Sequence, residues 1–238
     1  MSDVINEVQD TAVEEAVQCA LLFELENIPV PGRKVMYDVL KSVLSDKGID
    51  LTPVLFSRYC MHASVEVFLP ELFEAMGKKS TPDAKLLSDI AQGVKMSLLD
   101  GSIKLRSEVK AVLEEAAAAD VPIGALTSLD QDTATQLMKK LGFDELGVEL
   151  MSIPVSDRDF PTADAWLKIA KQMDTKSQLC MVYASSATAC KAGLSAGMRC
   201  VAVPDRFTSF QDFGGADFVV EGDDTEWHFA ELLELVRA

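Results

Sequence analysis

From about residue 100 onward the chain alternates helical patterns with short apolar runs, and this alternation limits the fold more than any other feature. "EVKAVLEEAAAAD" leads into "VPIGALT", "DTATQLMKKLG" into "GVELMSIP", and "TADAWLKIAKQM" into "SQLCMVYAS". "ATACKAGLSAG" then leads into "RCVAVP", and "ADFVVEG" with the helical "WHFAELLELV" closes the series. Strands alternating with helices of roughly ten to fifteen residues predict an α/β fold, with a parallel sheet covered on both faces. Right-handed crossovers bring the strand carboxyl ends to one edge, where open parallel sheets bind ligands.

One strand precedes this series. "CALLFEL", residues 19–25, is short and almost uninterrupted in its apolar character, as a strand buried on both faces should be. From Arg33 to about Leu99 the spacing is helical instead: Tyr37, Leu40 and Leu44 share a face, as do Leu69, Leu72, Phe73 and Met76. Inside that stretch Gly77 ends one helix, and Ser80 or Thr81 is the expected N-cap of the next, with Pro82 at its first position. The predicted organisation is a Rossmann-like α/β core, residues 18–32 and 100–238, with an α-helical cap inserted at 33–99. Residues 1–17, with Val4, Ile5, Val8, Val13 and Val17 among many acids, read as a weakly amphipathic N-terminal arm.

Composition excludes some partners. A formal net charge of −16 opposes binding to nucleic acid or to an anionic membrane surface. The N-terminal "MSDVINEVQD" lacks the basic and apolar regions of a secretory signal. The 5 cysteines are an odd number without a CxxC, so free thiols and a cytoplasmic location are expected. Nothing in the sequence specifies an oligomeric state.

The strand ends carry the candidate site. Glu24 and Glu26 finish the first strand, Thr127 and Ser128 the second, and Ala184, Ser185 and Ser186 the fourth, while Asp205 follows the fifth. A buried strand does not ordinarily end in two carboxylates, because desolvation and like-charge repulsion both penalise them. Thr127 and Ser128 either cradle an anion at a helix N-terminus or lie beside an ordinary cap made by Ser128 or Asp130. For Asp157, Asp159, His62 and His228, surface or structural roles outweigh ligand binding. Met36, Met61, Met76, Met96, Met138 and Trp166 read first as core residues.

Taken together, these segments resemble the haloacid dehalogenase superfamily, in its helical-cap branch of phosphoglycolate phosphatases and β-phosphoglucomutases. "LLFELENIPV" matches the frame hhhhDxDGT/V, with Glu24 and Glu26 at the aspartate positions and Asn27 at the glycine. "IGALTSLD" supplies the second motif's Thr127. "DFPTADAWLKIA" has Phe160 at the third motif's lysine, and "ASSATACKAGLSAGM" aligns without a gap to EDSxxGxxAAxxAGM. The resemblance implies a nucleophilic carboxylate at Glu24 and an acid–base carboxylate at Glu26. It also implies a charge-neutralising lysine, and Mg²⁺ held by acids of the fourth motif.

The departures fall on the chemistry. Glu24 is longer than aspartate by one methylene, which displaces its carboxylate by on the order of 1 Å and reduces in-line attack about a hundredfold. Phe160 carries no charge, and Ala184 and Ser185 replace both acids. The sequence therefore reads as a catalytically degenerate hydrolase fold that binds a small anionic ligand or a protein partner and needs no cofactor. Its ligand would meet Asn27, Thr127, Ser128, Ser185 and Ser186. The alternative is an Mg²⁺-dependent phosphatase that uses Glu24 and Glu26 in place of the aspartates.

Overall fold

The computed structural model describes residues 19–61, 64–78, 82–153 and 160–220. Six strands form one sheet: β1 (Ala20–Glu24), β2 (Ile123–Thr127), β3 (Glu149–Ser152), β4 (Cys180–Ala184), β5 (Arg199–Ala202) and β6 (Phe218–Val219). Their order is β3-β2-β1-β4-β5-β6, and every pairing is parallel. β1 is therefore central, with the strands ending at Thr127 and Ala184 on either side, the order that the resemblance and the crossover rule imply. The chain order reverses at β1, so the crevice beyond its carboxyl end lies at the topological switch point.

β1 is central because both of its faces are apolar. Leu21 and Phe23 join the larger core cluster with Ile123, Ala125, Met181 and Tyr183. Ala20 and Leu22 face the opposite layer, where Trp166, Ile169 and Cys190 are buried. The second layer comes from α7 (Ala163–Gln172) and α8 (Ala187–Ser195), while α5 (Ser107–Ala118) and α6 (Gln131–Leu141) contribute to the first. Local signals end these helices where the sequence allows. Asp130, Thr162 and Ser186 cap α6, α7 and α8 through their side chains, and Gly142 closes α6 in the left-handed conformation.

Four helices lie between β1 and α5: α1 (Gly32–Ser45), α2 (Pro53–Tyr59), α3 (Val65–Ala75) and α4 (Ala84–Leu99). The helical reading of this stretch holds, with two corrections. The N-cap of α4 is Asp83, which accepts from Leu86 N at 2.7 Å. Pro82 therefore precedes the cap instead of opening the helix, while Ser80 and Thr81 lie outside the described residues. Met96 is not core, being 63% exposed, whereas Met138 and Trp166 are buried as expected. The N-terminal arm, His62, Asp157, Asp159 and the closing helix with His228 fall outside the described residues.

Two sets of contacts set these helices over the sheet edge. Tyr37 of α1, Phe56 of α2 and Phe207, just beyond β5, form a three-ring cluster with centroid separations of 4.7 to 5.4 Å. On the other side Lys95 of α4 pairs with Asp132 of α6 at 2.8 Å. Lys140 of α6 also donates to the Leu98 carbonyl at 2.9 Å. Phe207 is fully buried, so its removal leaves a cavity between two layers. We expect Phe207→Ala to lose about 3–5 kcal/mol of stability in urea denaturation.

Candidate functional site

The residues after β1 turn back over its end. Ile28 N donates to the Glu24 carbonyl at 3.0 Å, and Gly32 N donates to the Glu26 carbonyl at 2.8 Å. A side chain at Gly32 would place its Cβ only 1.9 Å from that carbonyl oxygen, so only glycine lets the loop close. Arg33, the next residue, is thereby returned to the mouth of β1. Asn27 does not need the left-handed backbone its position suggested: among the described residues only Asp120 and Asp174 adopt positive φ without being glycine.

The two glutamates reach to opposite neighbours. Glu24, 3% exposed, turns toward the end of β4, where its Oε1 accepts from Ser185 N at 2.7 Å and Ser185 Oγ at 2.8 Å. Its Oε2 accepts from Asn27 Nδ2 at 3.2 Å and faces the Arg33 guanidinium at 3.8 Å. Glu26 turns toward the end of β2. Thr127 Oγ1 donates to its Oε2 at 2.6 Å, and Ser128 Oγ and N donate to its Oε1 at 2.8 and 3.2 Å.

This geometry revises the expected electrostatics. A like-charge pair sharing a proton was the natural reading of two glutamates so close in sequence. Burial of the Glu26 carboxyl end is instead what raises its pKa above the ordinary 4.5, and the bonds from Thr127 and Ser128 oppose the rise. Each carboxylate has its own set of donors.

Arg33 is the cation of the site. Its Nη1 donates to Asp205 Oδ2 and to the Ser185 carbonyl, both at 3.2 Å, with the Glu24 carboxylate beside it. Arg106 lies close enough to interact with both Asp205 and Arg33, and burial lowers its pKa below the usual arginine range. A divalent ion would have to share the space facing Glu24, Ser185 and Asp205 with the Arg33 guanidinium. Ala184 and Ser185 add no carboxylate, and no cluster of three or more His, Cys, Asp or Glu able to hold a metal occurs among the described residues. The residues present do not fit Mg²⁺.

A cavity of about 590 Å³ lies between these strand ends and helices α1, α2 and α4. Its floor includes Glu24, Glu26, Asn27, Arg33, Ser128 and Ser186, and its roof includes Met36, Phe56, Met61, Ile90 and Val94. Thr127 and Ser185, expected to meet a ligand, are fully buried and bind the glutamates from behind. The cap of α6 is Asp130, so the hydroxyl of Ser128 serves Glu26 instead of the helix. Met36 and Met61, expected as core filler, contribute to the cavity wall. Phe160 also lines the cavity, and Lys168 pairs with Asp164 on the exposed face of α7, so it does not replace the lysine.

Among the cavity residues that sequence reasoning missed are three cations, Arg33, Arg58 and Lys95. The available signal for Arg33 was "PGR": a glycine able to fold the loop back, with a cation directly after it.

No family model matches the chain. The Bacillus subtilis (strain 168) protein named "Putative phosphatase YhcW" is 25% identical over 198 residues, covering 82% of this chain and 88% of that protein. Among solved structures, β-phosphoglucomutase from Clostridium difficile superposes with a TM-score of 0.74 at 17% identity, covering 92% of this chain and 97% of its own. CbbY from Rhodobacter sphaeroides, crystallised with phosphate, gives 0.72 at 17% identity over 90% and 95%. At these identities the structural likeness establishes a shared fold.

Two outcomes check the loop and the buried acid. Gly32→Ala must push the Glu26 carbonyl away, and we expect a loss of about 1–3 kcal/mol in chemical denaturation. For Glu26, the folded protein binds the proton more tightly than the unfolded chain. The associated stability is full below pH 4.5 and is lost as pH rises through the higher folded value. Glu26→Gln, neutral at every pH, should escape that loss. Its melting temperature should exceed the wild type's at neutral pH, and the gap should narrow toward pH 4 (about the unperturbed glutamate value).

Proposed function

We propose that this chain, which has the haloacid dehalogenase-type fold, is a non-catalytic binding protein that holds a small anionic ligand in the cavity beneath α1, α2 and α4. The carrying observation is the state of Glu24. One of its oxygens accepts two hydrogen bonds from Ser185, and the other is held by Asn27 beside Arg33. An attacking carboxylate oxygen needs a lone pair aimed at the reacting atom, and here both oxygens already have donors. By the resemblance, Phe160 takes the place of the lysine that would offset developing charge, and it lines the cavity as an uncharged ring.

The cavity suits binding. Its volume falls within the roughly 300–1,000 Å³ common for small-molecule sites, and an apolar roof over a polar floor gives a ligand both burial and orientation. Arg33, Arg58 and Lys95 line it beside Glu24, Glu26, Glu66 and Asp130, and Arg58, with no such carboxylate partner among the described residues, is the cation offered to an anionic group on an apolar body. All five cysteines are free and buried, in keeping with a cytoplasmic setting.

One observation favours a second reading, a phosphatase that uses Glu24 and Glu26. The proton affinity of Glu26, raised by burial, is a change in the direction a general acid needs. Hydrolysis of p-nitrophenyl phosphate and of sugar monophosphates, with and without Mg²⁺, separates the two. We expect rates equal to background under both conditions. Reproducible turnover that disappears in Glu24→Gln would replace the binding reading with the enzymatic one.

A further inference from the structure

The guanidinium of Arg33 faces three oxygens from three different strand ends. Glu24 Oε2 comes from the end of β1, the Ser185 carbonyl follows β4, and Asp205 Oδ2 follows β5, at 3.8, 3.2 and 3.2 Å from its nearest nitrogens. Two of these oxygens belong to carboxylates. The side chain of Arg33 is only 12% exposed and that of Glu24 only 4%. Ser185 N and Oγ hold Glu24 Oε1, Asn27 Nδ2 donates to Glu24 Oε2 at 3.2 Å, and Phe207 N holds Asp205 Oδ1 at 2.7 Å. Both carboxylates are thus held by other donors, and all three oxygens border the one guanidinium, two of them at Nη1.

We infer that Arg33 is a resident cation that closes a latent divalent-metal site formed by Glu24, Asp205 and the Ser185 carbonyl. Two carboxylates and a carbonyl, with water completing the shell, are the ligands a hard divalent ion accepts. What keeps such an ion out is the positive charge already seated among them. A guanidinium remains protonated at any pH the fold survives, so the exclusion is permanent in the wild type. The inference stands on the position of Arg33 and is independent of whether the site turns over substrate.

Gly32 makes this arrangement possible. The loop that closes on the Glu26 carbonyl directs the very next residue back to the end of β1. The cation is thus supplied by the chain itself, nine positions after the carboxylate it accompanies.

The test is the melting temperature with and without millimolar MgCl₂ for wild type, Arg33→Ala, Arg33→Lys and the double variant Arg33→Ala/Asp205→Asn. Wild type should not respond. Arg33→Ala should melt lower without metal and rise by roughly 5–10 °C when Mg²⁺ exceeds its dissociation constant a hundredfold. Arg33→Lys, which keeps a positive charge, should respond much less, and the double variant should lose the response. If Arg33→Ala does not fold alone, recovery of its cooperative transition in MgCl₂ supports the inference and failure to recover overturns it. A response in wild type, an absent response in folded Arg33→Ala, or an equal response in Arg33→Lys would each overturn it as well. A wild-type Mg²⁺ response without hydrolysis would sink this inference and leave the binding reading intact; Mg²⁺-independent hydrolysis lost in Glu24→Gln would do the reverse.

Discussion

A carboxylate at the end of a central parallel strand is enclosed by the neighbouring strands, and it must find partners there or lose its charge. The arrangement around Glu24 and Glu26 follows from that requirement. β4 supplies Ser185 to one glutamate, and β2 supplies Thr127 and Ser128 to the other. The negative charge left at the mouth of β1 is met by Arg33, which Asp205 holds in place. Sheet order, loop closure and ion pairing all converge on one small volume because β1 carries the acids and sits in the middle.

The same geometry underlies the binding role proposed for the site. The positions that the resemblance assigns to catalysis lie at or beside the sheet edge. The hydroxyls behind the glutamates donate to them, and an aromatic ring stands at the lysine position. The cation belongs to the chain and carries one charge instead of two. What persists is a cavity with an apolar roof, and a cavity needs shape and burial more than it needs exact placement of a nucleophile.

Much of this was legible in the sequence. The strand positions and the collection of Glu24, Asn27, Ser128 and Ser186 at one edge follow from apolar runs and the crossover rule, and the central place of β1 is implied by the resemblance together with that rule. Thr127 and Ser185 were assigned to the right place and the wrong task, since type and position do not show which way a hydroxyl points. Arg33 escaped notice because it opens a helix, and its position depends on how tightly Gly32 lets the preceding loop fold. Pairing across 172 residues, as between Arg33 and Asp205, leaves no local pattern to read. The pKa of Glu26 likewise depends on enclosure by chain segments about a hundred residues away.

The helices over the cavity are fastened unevenly. Beside β5 the fastening is the apolar cluster of Tyr37, Phe56 and Phe207, which excludes water. Beside α6 it is the exposed Lys95–Asp132 pair, together with the Lys140 bond to the Leu98 carbonyl. Dissolved ions weaken exposed charge pairs and leave ring packing almost untouched. The helices over the cavity thus rest on ring packing at one side and on an exposed charge pair at the other, and of the two supports only the second weakens as the ionic strength of the solution rises.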